Sequence, residues 1–364
     1  MNVREWSCCE IGRWCAHAIF LGAMCLCCAT VPVRAGSLSS TQCSDTFLNN
    51  VHASNNNGGA PTFFTGESGE NGIMRALIRC DLPAGIDARV QVAQVTLTLT
   101  TAGLGSTGTT PPTAAIESLR AVTEAWGEGD KAGLTTTTYT VGQPCTAGEA
   151  TWNQRQCSIA NWATAGGTVS GTLSASASSP ALIGASVAFT GVSGGIVDDV
   201  LNWIAAPSSN FGWRISSSTE GASAQAQRFN SSEASSGRPV LAVTYGCKSG
   251  FEDTGTGCTA CTTAAKAACV TSQAGNACVD PGAPSSYSCT CGNPAYTGTG
   301  TQSCTDFNAC IPNHCLDAGD TGALCTDHVA PATGYDCTCD AGFVFDGMTC
   351  SDRIFADDFE AIGP

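Results

Sequence analysis

Cysteine spacing near the C-terminus constrains this chain more than any other feature of its sequence. Fourteen of the 24 cysteines lie between residues 247 and 350, and twelve of these follow one spacing pattern twice. The two copies read Cys261-x7-Cys269-x8-Cys278-x10-Cys289-x-Cys291-x12-Cys304 and Cys310-x4-Cys315-x9-Cys325-x11-Cys337-x-Cys339-x10-Cys350. A segment of about 45 residues buries too little apolar surface to fold alone, so covalent cross-links are the usual remedy. The pattern therefore predicts a tandem, disulfide-rich repeat made in an oxidising compartment.

The N-terminus is typical of an export signal. Two arginines precede an apolar run over residues 16–33, and small residues offer a cleavage site before Gly36. The run is short and Pro32 interrupts it, which favours a cleaved secretory signal over residues 1–35 rather than a membrane anchor. No second apolar stretch in the sequence is long enough to span a bilayer. We therefore expect a secreted or cell-surface protein with no transmembrane segment after cleavage.

The cysteine counts allow complete disulfide pairing, and the net charge limits the classes of partner. Beyond the predicted signal, four cysteines lie in residues 36–246 and fourteen after them, so every thiol can pair within its own region. The formal net charge is −15, and residues 247–364 carry three Lys or Arg against fourteen Asp or Glu. So acidic a surface argues against nucleic acid or anionic lipid as a partner and suits a solvated extracellular module.

Alternating apolar residues predict that residues 36–246 form a β-rich domain. Residues 90–101 alternate apolar and polar side chains, and about ten short runs of this kind are separated by turn residues. Apolar residues then recur at helical spacing until Pro207, with Asp198 and Asp199 in the first turn, where they favour the helix dipole. The predicted fold class is mainly β: an antiparallel jelly-roll β-sandwich with one short helix, followed by small disulfide-rich modules.

Motifs spread over the whole β-rich region resemble those of DNRLRE-type (disaggregatase-related) domains. In chain order they are DTF (45–47), NNNGG (55–59), RALIRCDLP (75–83), VTEAWGEGD (122–130), ATWNQR (150–155), NFGWRI (210–215), QRFNSSE (227–233) and RPVLAVTY (238–245). Some members of that family are carbohydrate-binding modules, including alginate-binding modules attached to lyases. The resemblance implies a non-catalytic β-sandwich over residues 36–246 that holds an extracellular polysaccharide or surface glycan.

The cysteines of this region depart from the family pattern. Cys80 stands where the family usually has a bulky apolar residue, and Cys145 and Cys157 bracket the TWNQR loop. We infer a local cross-link Cys145–Cys157 and a companion pair Cys43–Cys80. Each should contribute roughly 2–4 kcal/mol through loop closure.

Aromatic side chains are the first candidates for sugar binding, because their apolar faces stack on pyranose rings. The carbohydrate-binding candidates are Trp126, Tyr139, Trp152 and Trp162, with Arg155 and Arg228 for an acidic sugar. Trp126 and Trp152 lie near strand–loop boundaries, where a role in core packing remains the alternative.

Catalysis is not expected. None of the three histidines beyond the signal lies in an HExxH or His-x-His arrangement or near a plausible nucleophile motif. The best group of acids is Glu124, Glu128 and Asp130, which we interpret as a solvated or cation-binding loop rather than a glycosidase pair.

The ending Cys-x-Cys-x10–12-Cys of each repeat resembles the EGF-like module. This resemblance divides the cysteine-rich region into a truncated segment (247–259), a first repeat (260–304) and a second repeat (305–351). The connectivity of that family implies the pairs Cys261–Cys278, Cys269–Cys289, Cys291–Cys304, Cys310–Cys325, Cys315–Cys337 and Cys339–Cys350, with Cys247–Cys258 pairing in the truncated segment.

The second repeat also carries part of the signature of calcium-binding EGF-like modules. Asp306, Asn308 and Asp327 stand at positions that supply oxygen ligands, but Ala309 replaces the usual Glu or Gln. Two alternatives stay open: a weak Ca²⁺ site in the second repeat, or a spacer without metal. The first repeat lacks the upstream ligands, so we expect no calcium there.

The last residues, 352–364, form an acidic, aromatic tail that we expect to be disordered. They resemble short FADxFE tails on exported bacterial proteins. Taken together, the sequence favours an exported bacterial protein that binds glycan or extracellular matrix through a carbohydrate-binding-type β-sandwich on an EGF-like stalk. A structural or protein-adhesion module without sugar binding is the main alternative, and a polysaccharide-degrading enzyme is a further one.

Overall fold

The computed structural model describes residues 36–67, 69, 72–104, 114–132, 142–222, 225–316 and 320–352. The predicted signal, Tyr139 and the tail beyond Asp352 lie outside these residues. Within the described part of the chain, no helix is both long and apolar enough to cross a membrane.

The large domain (residues 36–246) consists mainly of strands. Its described strands are β1 (Gly36–Ser40), β2 (Cys43–Asn49), β3 (Asn55–Asn56), β4 (Thr62–Glu67), β5 (Ile73–Cys80), β6 (Val90–Leu104), β7 (Ala115–Ala121), β8 (Gln143–Pro144), β9 (Gln154–Gln156), β10 (Ala160–Asn161), β11 (Ala175–Ser179), β12 (Ser186–Gly191), β13 (Trp213–Ser217), β14 (Gln227–Asn230) and β15 (Val240–Cys247). Helix α1 (Gly195–Ala205) and a 3-10 turn (Pro207–Ser209) lie between β12 and β13.

Eleven of these strands form one antiparallel network that folds into two layers. In one layer, β15 pairs with β1 and β6, and β6 pairs in turn with β12 and β14. In the other, β5 pairs with β2 and β13, and β13 leads through β7 to β11. Strand β4 joins the layers, because it pairs with both β14 and β5. The predicted mainly β, antiparallel architecture is confirmed.

The core lies between the two layers, where alternating residues point inward. On β6 the side chains of Val95, Leu97 and Leu99 are completely buried, as the alternation predicts. Helix α1 closes one side of this core through Trp203, whose ring centroid lies 4.5 Å from that of Trp213 on β13. Replacing a large aromatic residue at such a site by alanine typically costs about 3–5 kcal/mol.

Helix α1 confirms the one helix predicted for this domain, and its start needs glycine. Gly194 and Gly195 both have positive φ (63° and 48°), and a Cβ on Gly195 would lie 2.2 Å from the carbonyl oxygen of Ser174. Asp198 lies in the first turn, as predicted. Asp199 has a different role, because its Oδ2 accepts a hydrogen bond from Trp213 Nε1 at 2.8 Å.

One ionisable side chain lies inside the core. Glu117 on β7 is completely buried. Burial, only partly offset by the neighbouring hydroxyls of Thr65 and Ser217, raises the pKa of Glu117 from 4.5 to about 7. Because the protonated form is favoured in the folded state, about 3 kcal/mol of stability present at pH 4.5 is lost as the pH rises to 7.

The cysteine-rich region contains short two-stranded ladders. Its described elements are β16 (Glu252–Asp253), β17 (Cys258–Thr259), α2 (Thr263–Ala268), β18 (Asn276–Val279), β19 (Ser288–Cys291), β20 (Tyr296–Thr297), β21 (Thr305–Asp306), β22 (Leu324–Asp327), β23 (Tyr335–Thr338), β24 (Phe343–Phe345) and β25 (Cys350–Asp352). Helix α2 was not predicted. Its N-cap is Thr262, whose hydroxyl accepts a hydrogen bond from Ala265 N.

Disulfides cross-link both the large domain and the cysteine-rich region. The eighteen described cysteines form the disulfides Cys43–Cys80, Cys145–Cys157, Cys247–Cys258, Cys261–Cys278, Cys269–Cys289, Cys291–Cys304, Cys310–Cys325, Cys315–Cys337 and Cys339–Cys350. These are the same nine pairs as those inferred from the sequence. In each repeat the small buried cluster consists largely of these half-cystines.

The first repeat is fixed to the large domain through an ion pair. Arg89 Nη1, just before β6, lies 2.7 Å from Asp280 Oδ2 of the first repeat. The same oxygen accepts hydrogen bonds from Ala260 N at 3.0 Å and from Thr259 Oγ1 at 2.8 Å. Burial by itself would raise the pKa of Asp280, but hydrogen bonds from Gly282 and these donors, together with the Arg89 charge, lower it.

The second repeat has the same internal contact without the arginine. Asp327 Oδ1 accepts a hydrogen bond from Ala309 N at 2.8 Å, and Ala309 precedes Cys310 as Ala260 precedes Cys261. Among the described residues, no cationic side chain forms an ion pair with Asp327.

Candidate functional site

Strand pairing brings three arginines together on the outer surface of the second layer. Arg214 on β13 lies opposite Arg120 on β7 and opposite Leu77 on β5. Arg75 lies two residues before Leu77, so its side chain projects from the same face of the sheet. In a sheet, opposite residues are close neighbours and diagonal ones remain within reach of long side chains. The guanidinium groups of Arg75, Arg120 and Arg214 therefore share one surface.

A long segment after β7 covers part of this face and builds a wall beside the arginines. Its apolar side chains Val122, Trp126, Ala150 and Trp162 pack on Leu48 of β2 and Leu77 of β5 and form a second buried cluster with them. The disulfide Cys145–Cys157 closes a loop within the segment. Further along, Gly166 and Gly167 both have positive φ (80° and 93°), and the carbonyl of Gly167 accepts a hydrogen bond from Arg214 Nη1 at 2.6 Å.

The arginines and this wall enclose an open cleft of about 480 Å³. Its lining residues are Arg75, Arg120, Thr164, Gly167, Thr168, Val169, Ser170, Gly171 and Arg214. No carboxylate, histidine or cysteine is among them, so the lining offers positive charge, hydroxyls and backbone groups but no general acid or base that titrates near neutral pH.

Each arginine of the cleft is partly held by the protein. Arg75 forms a two-fold ion pair with Glu220, with N···O distances of 2.9 and 2.7 Å, and its guanidinium lies 5.1 Å from the ring centroid of Trp152. Arg120 Nη1 donates to the carbonyl of Gly171. Arg214 donates through Nη1, while its buried Nε has no hydrogen-bond partner among the described residues.

The positive charge of the cleft is only partly neutralised by the protein. Burial, with the nearby charges of Arg75 and Arg120, lowers the pKa of Arg214 to about 10, although Glu220 acts in the opposite direction. The cleft therefore contains three positive charges against one carboxylate partner. A bound carboxylate, sulfate or phosphate would relieve this repulsion, and guanidinium groups recognise such anions with paired hydrogen bonds.

A second, uncharged pocket of about 560 Å³ is lined mainly by the same segment. Its lining residues are Ser54, Thr151, Asn153, Gln154, Asn161 and Trp162. Gln154 Nε2 donates to Asn161 Oδ1 at 3.1 Å, whereas the side chain of Asn153 has no hydrogen-bond partner among the described residues. We name the two sites the arginine cleft and the polar pocket.

The predicted tryptophans have three different environments. Trp126 is only 3% exposed, donates from Nε1 to the carbonyl of Phe211 at 2.8 Å and lies beneath Arg79, so it packs in the second buried cluster. Trp152 is half-buried under Arg75 of the cleft. Trp162 contributes to the polar pocket, although its Nε1 is bonded to the carbonyl of Thr151 at 2.9 Å.

The predicted arginines lie outside the cleft lining. Arg155 Nη1 donates to the carbonyl of Ala125 at 3.0 Å, which ties two parts of the covering segment together. Arg228 Nε donates to Thr62 Oγ1 at 3.1 Å, and its guanidinium lies over the ring of Phe64. Burial lowers the pKa of Arg228.

The acidic residues of the 122–130 motif contact separate partners. Glu128 Oε1 accepts a hydrogen bond from Asp45 N at 2.6 Å, and Glu124 Oε2 accepts one from Ala163 N at 3.1 Å. Asp130 pairs with Lys131 at the surface. Burial raises the pKa of Glu128. Glu124 and Glu128 thus position backbone segments around the loop.

The predicted calcium ligands each use one oxygen to accept a backbone hydrogen bond. Asp306 Oδ1 bonds Ala330 N, Asn308 Oδ1 bonds Cys310 N, and Asp327 Oδ1 bonds Ala309 N, all at 2.8 Å; the other carboxylate oxygens of the two aspartates stay available to a hard cation. Calcium binding by these residues remains a prediction.

Within the described residues, one group has metal-ligand spacing: Asp320, Cys339 and Cys350. The two cysteines form a disulfide with each other. Because metal binding by cysteine requires the thiolate, this group is not a metal centre.

A scan against models of protein families finds no match to this chain, and a search of curated proteins finds none either. The case for function therefore rests on the residues of the cleft and the pocket.

Proposed function

We propose that this protein binds an anionic glycan outside the cell, through the arginine cleft and without catalysis. The observation that carries the proposal is the convergence of Arg75, Arg120 and Arg214 on one open cleft in a chain whose net charge is −15. Grouping like charges is unfavourable without a counter-ion, and here Glu220 is the one carboxylate paired with them among the described residues. An anionic ligand supplies the missing charge.

The surroundings of the cleft suit a sugar acid. Thr164, Thr168 and Ser170 provide hydroxyls along the wall, and the ring of Trp152 supports the guanidinium of Arg75 from beneath. A small number of precisely placed polar groups is the usual means of orienting a ligand in such a site. The resemblance to DNRLRE-type modules, some of which bind alginate, supports the same ligand class.

Secretion is part of the proposal. Nine disulfides are expected of a protein that folds in an oxidising compartment, and the sequence before Gly36 has the layout of a cleaved signal. The ligand would then be an extracellular polysaccharide or surface glycan, presented to the large domain while the cysteine-rich region acts as a stalk.

The test is calorimetry of the mature chain (36–364) with a uronate polymer at low ionic strength. We expect Arg120→Ala to weaken binding about tenfold or more, since hydrogen bonds between charged groups contribute about 1.5–3 kcal/mol. Arg238→Ala is the matched control, because Arg238 is exposed and bonds the carbonyl of Ala234 outside the cleft. Equal losses for both variants, or equal affinity for an uncharged glucan, would refute the proposal.

Protein adhesion through the second repeat is a second candidate, favoured by its apolar surface. Phe307, Ile311, Leu324, Val329 and Met348 are between 49% and 74% exposed. A matrix-attachment assay with the double variant Ile311→Ser, Val329→Ser tests it. Loss of attachment in this variant, with retention in Arg120→Ala, would favour adhesion over glycan binding.

A further inference from the structure

We infer that the ligand is a heteropolymer in which an acidic sugar stands beside an uncharged sugar rich in hydroxyl or amide groups. The inference rests on the proposed function of the arginine cleft and extends it by the polar pocket, whose chemistry differs. All six residues that line the polar pocket are uncharged.

The two sites adjoin through Trp152. Its chain neighbours Thr151 and Asn153 line the polar pocket, while its own ring lies against Arg75 of the cleft at 5.1 Å. The carbonyl of Trp152 accepts a hydrogen bond from Gly166 N at 2.7 Å, and Gly167 belongs to the cleft wall.

The covering segment gives a second connection between the sites. Trp162 lines the pocket and Thr164 lines the cleft. Two residues of chain span at most about 7 Å, so neighbouring units of one polymer can reach both sites.

Both sites are held in a fixed form by the fold. The disulfide Cys145–Cys157 closes the loop that carries Asn153 and Gln154. Trp162 N donates to the carbonyl of Asn153 at 3.2 Å, which fixes the pocket floor. At Gly166 a Cβ would lie 2.8 Å from both Arg75 Nη1 and Trp152 Cη2, so the chain packs tightly where the sites meet. Preformed sites favour a ligand that matches both without rearrangement.

The chemistry of the polar pocket selects its occupant. Asn153 has a side-chain amide with no partner among the described residues, and Gln154 and Asn161 add further amide groups. Such groups exchange hydrogen bonds with hydroxyl or acetamido substituents. A carboxylate in this pocket would lose hydration without meeting a positive charge, which is unfavourable. A homopolymer of uronic acids presents a carboxylate on every unit and therefore fits the pair of sites less well than an alternating polymer does.

The experiment compares two probes of equal length by calorimetry on the mature chain: hyaluronan oligosaccharides, in which uronate and N-acetylhexosamine alternate, and oligoguluronate. We expect the alternating probe to bind about tenfold more tightly. Asn153→Ala should reduce its affinity to that of oligoguluronate and leave oligoguluronate binding unchanged. Arg120→Ala should weaken both probes.

The control is Asn202→Ala on the exposed side of α1, which should change neither affinity. Asn153 is exposed and its side chain bonds no described residue, so a melting curve should show Asn153→Ala to be folded. Equal affinities for the two probes, or equal losses for both in Asn153→Ala, would overturn the inference and leave the arginine cleft intact. No binding of either probe would remove the proposed function as well.

Discussion

The two cysteine-rich repeats have the same order of cysteines and the same disulfide connectivity, but they differ in what stabilises them from outside. The first repeat packs beside the large domain, where Arg89 reaches Asp280. In the second repeat, Asp327 makes the same bond to the backbone before the first cysteine and, among the described residues, pairs with no cation.

The difference shows how one acidic position can serve two purposes. In the first repeat, a guanidinium from another domain provides the positive charge that faces the aspartate. This ion pair joins the first repeat to the large domain. In the second repeat the carboxylate keeps an oxygen available, and the fold depends on its three disulfides and a small buried cluster.

The largest expected effect comes from removing one equivalent disulfide in each repeat. Cys315→Ser with Cys337→Ser should unfold the second repeat, because losing a native disulfide costs about 2–5 kcal/mol and few other contacts remain. Cys269→Ser with Cys289→Ser should leave a larger fraction of the first repeat folded, since the ion pair with Arg89 adds support from the large domain. Limited proteolysis with mass spectrometry measures the cleavage of each repeat and so reports whether it is folded. Equal cleavage of the two repeats would contradict the comparison.

The next largest effect is expected from breaking the ion pair between Arg89 and Asp280. Arg89→Met keeps the length of the side chain but leaves both Asp87 and Asp280 without their ion-pair partner, so we expect a loss of about 1–3 kcal/mol in the free energy of unfolding. Chemical denaturation of the mature chain measures it. Asp327→Asn is the matched change in the second repeat and should cost less than about 1 kcal/mol. A larger loss of stability in Asp327→Asn than in Arg89→Met would show that the ion pair of the first repeat is not the stronger of the two contacts.

Opposite pH dependence of the two repeats is a smaller effect with a clear sign. Because the pKa of Asp280 is lower in the folded protein than its ordinary value of 3.8, its ionised form stabilises the fold. This stabilisation is fully present above pH 3.8 and is lost as the pH falls through the lower, folded-state pKa. Hydrogen bonds to Asp336 and Thr333 raise the pKa of His328 above 6.5, so its contribution is complete below 6.5 and is lost as the pH rises through the folded-state value. Hydrogen exchange in each repeat from pH 3 to pH 8 measures both.

Two control variants identify which side chain causes each pH-dependent change. Glu117→Gln removes the buried carboxyl whose pKa is raised to about 7. Asp336→Asn should return the NMR titration of His328 towards its ordinary value. A His328 titration at or below 6.5 in the unmodified chain would show that the pair with Asp336 does not form in solution.

The smallest expected effect is calcium binding. Asp306 and Asp327 each retain an available carboxylate oxygen, but Ala309 supplies no side-chain ligand, so we expect the second repeat to bind Ca²⁺ no more tightly than about 10⁻⁴–10⁻³ M. The first repeat should show no binding while Arg89 faces Asp280. Calorimetry of the mature chain, with Asp327→Asn and Asp280→Asn as the paired variants, assigns the site. Submicromolar binding, or loss of binding only in Asp280→Asn, would contradict this prediction.

Local pattern predicts much of the fold because the governing interactions are local or repetitive. Alternation on β6 identifies the residues that point into the core, and cysteine spacing, read with the EGF-like pattern, yields the pairs found in the structure. The sequence does not predict helix α2 because six residues are too few to show a periodic pattern, although Thr262 before an alanine-rich run is a usable capping signal.

The candidate site was harder to predict because it depends on strand register. The sequence shows Arg75, Arg120 and Arg214 as isolated arginines on three strands, and only the pairing of β5, β13 and β7 makes them neighbours. The ion pair between Arg89 and Asp280 joins residues 191 positions apart, a distance over which no periodicity carries information.

The pairing of β1 with β15 has a mechanical consequence. Gly36 lies opposite Tyr245, and Ser40 lies opposite Leu241, so the outer ends of the two strands point the same way. A force that separates the start of the large domain from its end would load their hydrogen bonds one pair after another, like a zipper. Separation of the two strands stops at Cys43, because a disulfide bonds it to Cys80 on β5. The chain could then lengthen by about 24 Å, the extended reach of residues 36–42, before the sheet itself bears the load.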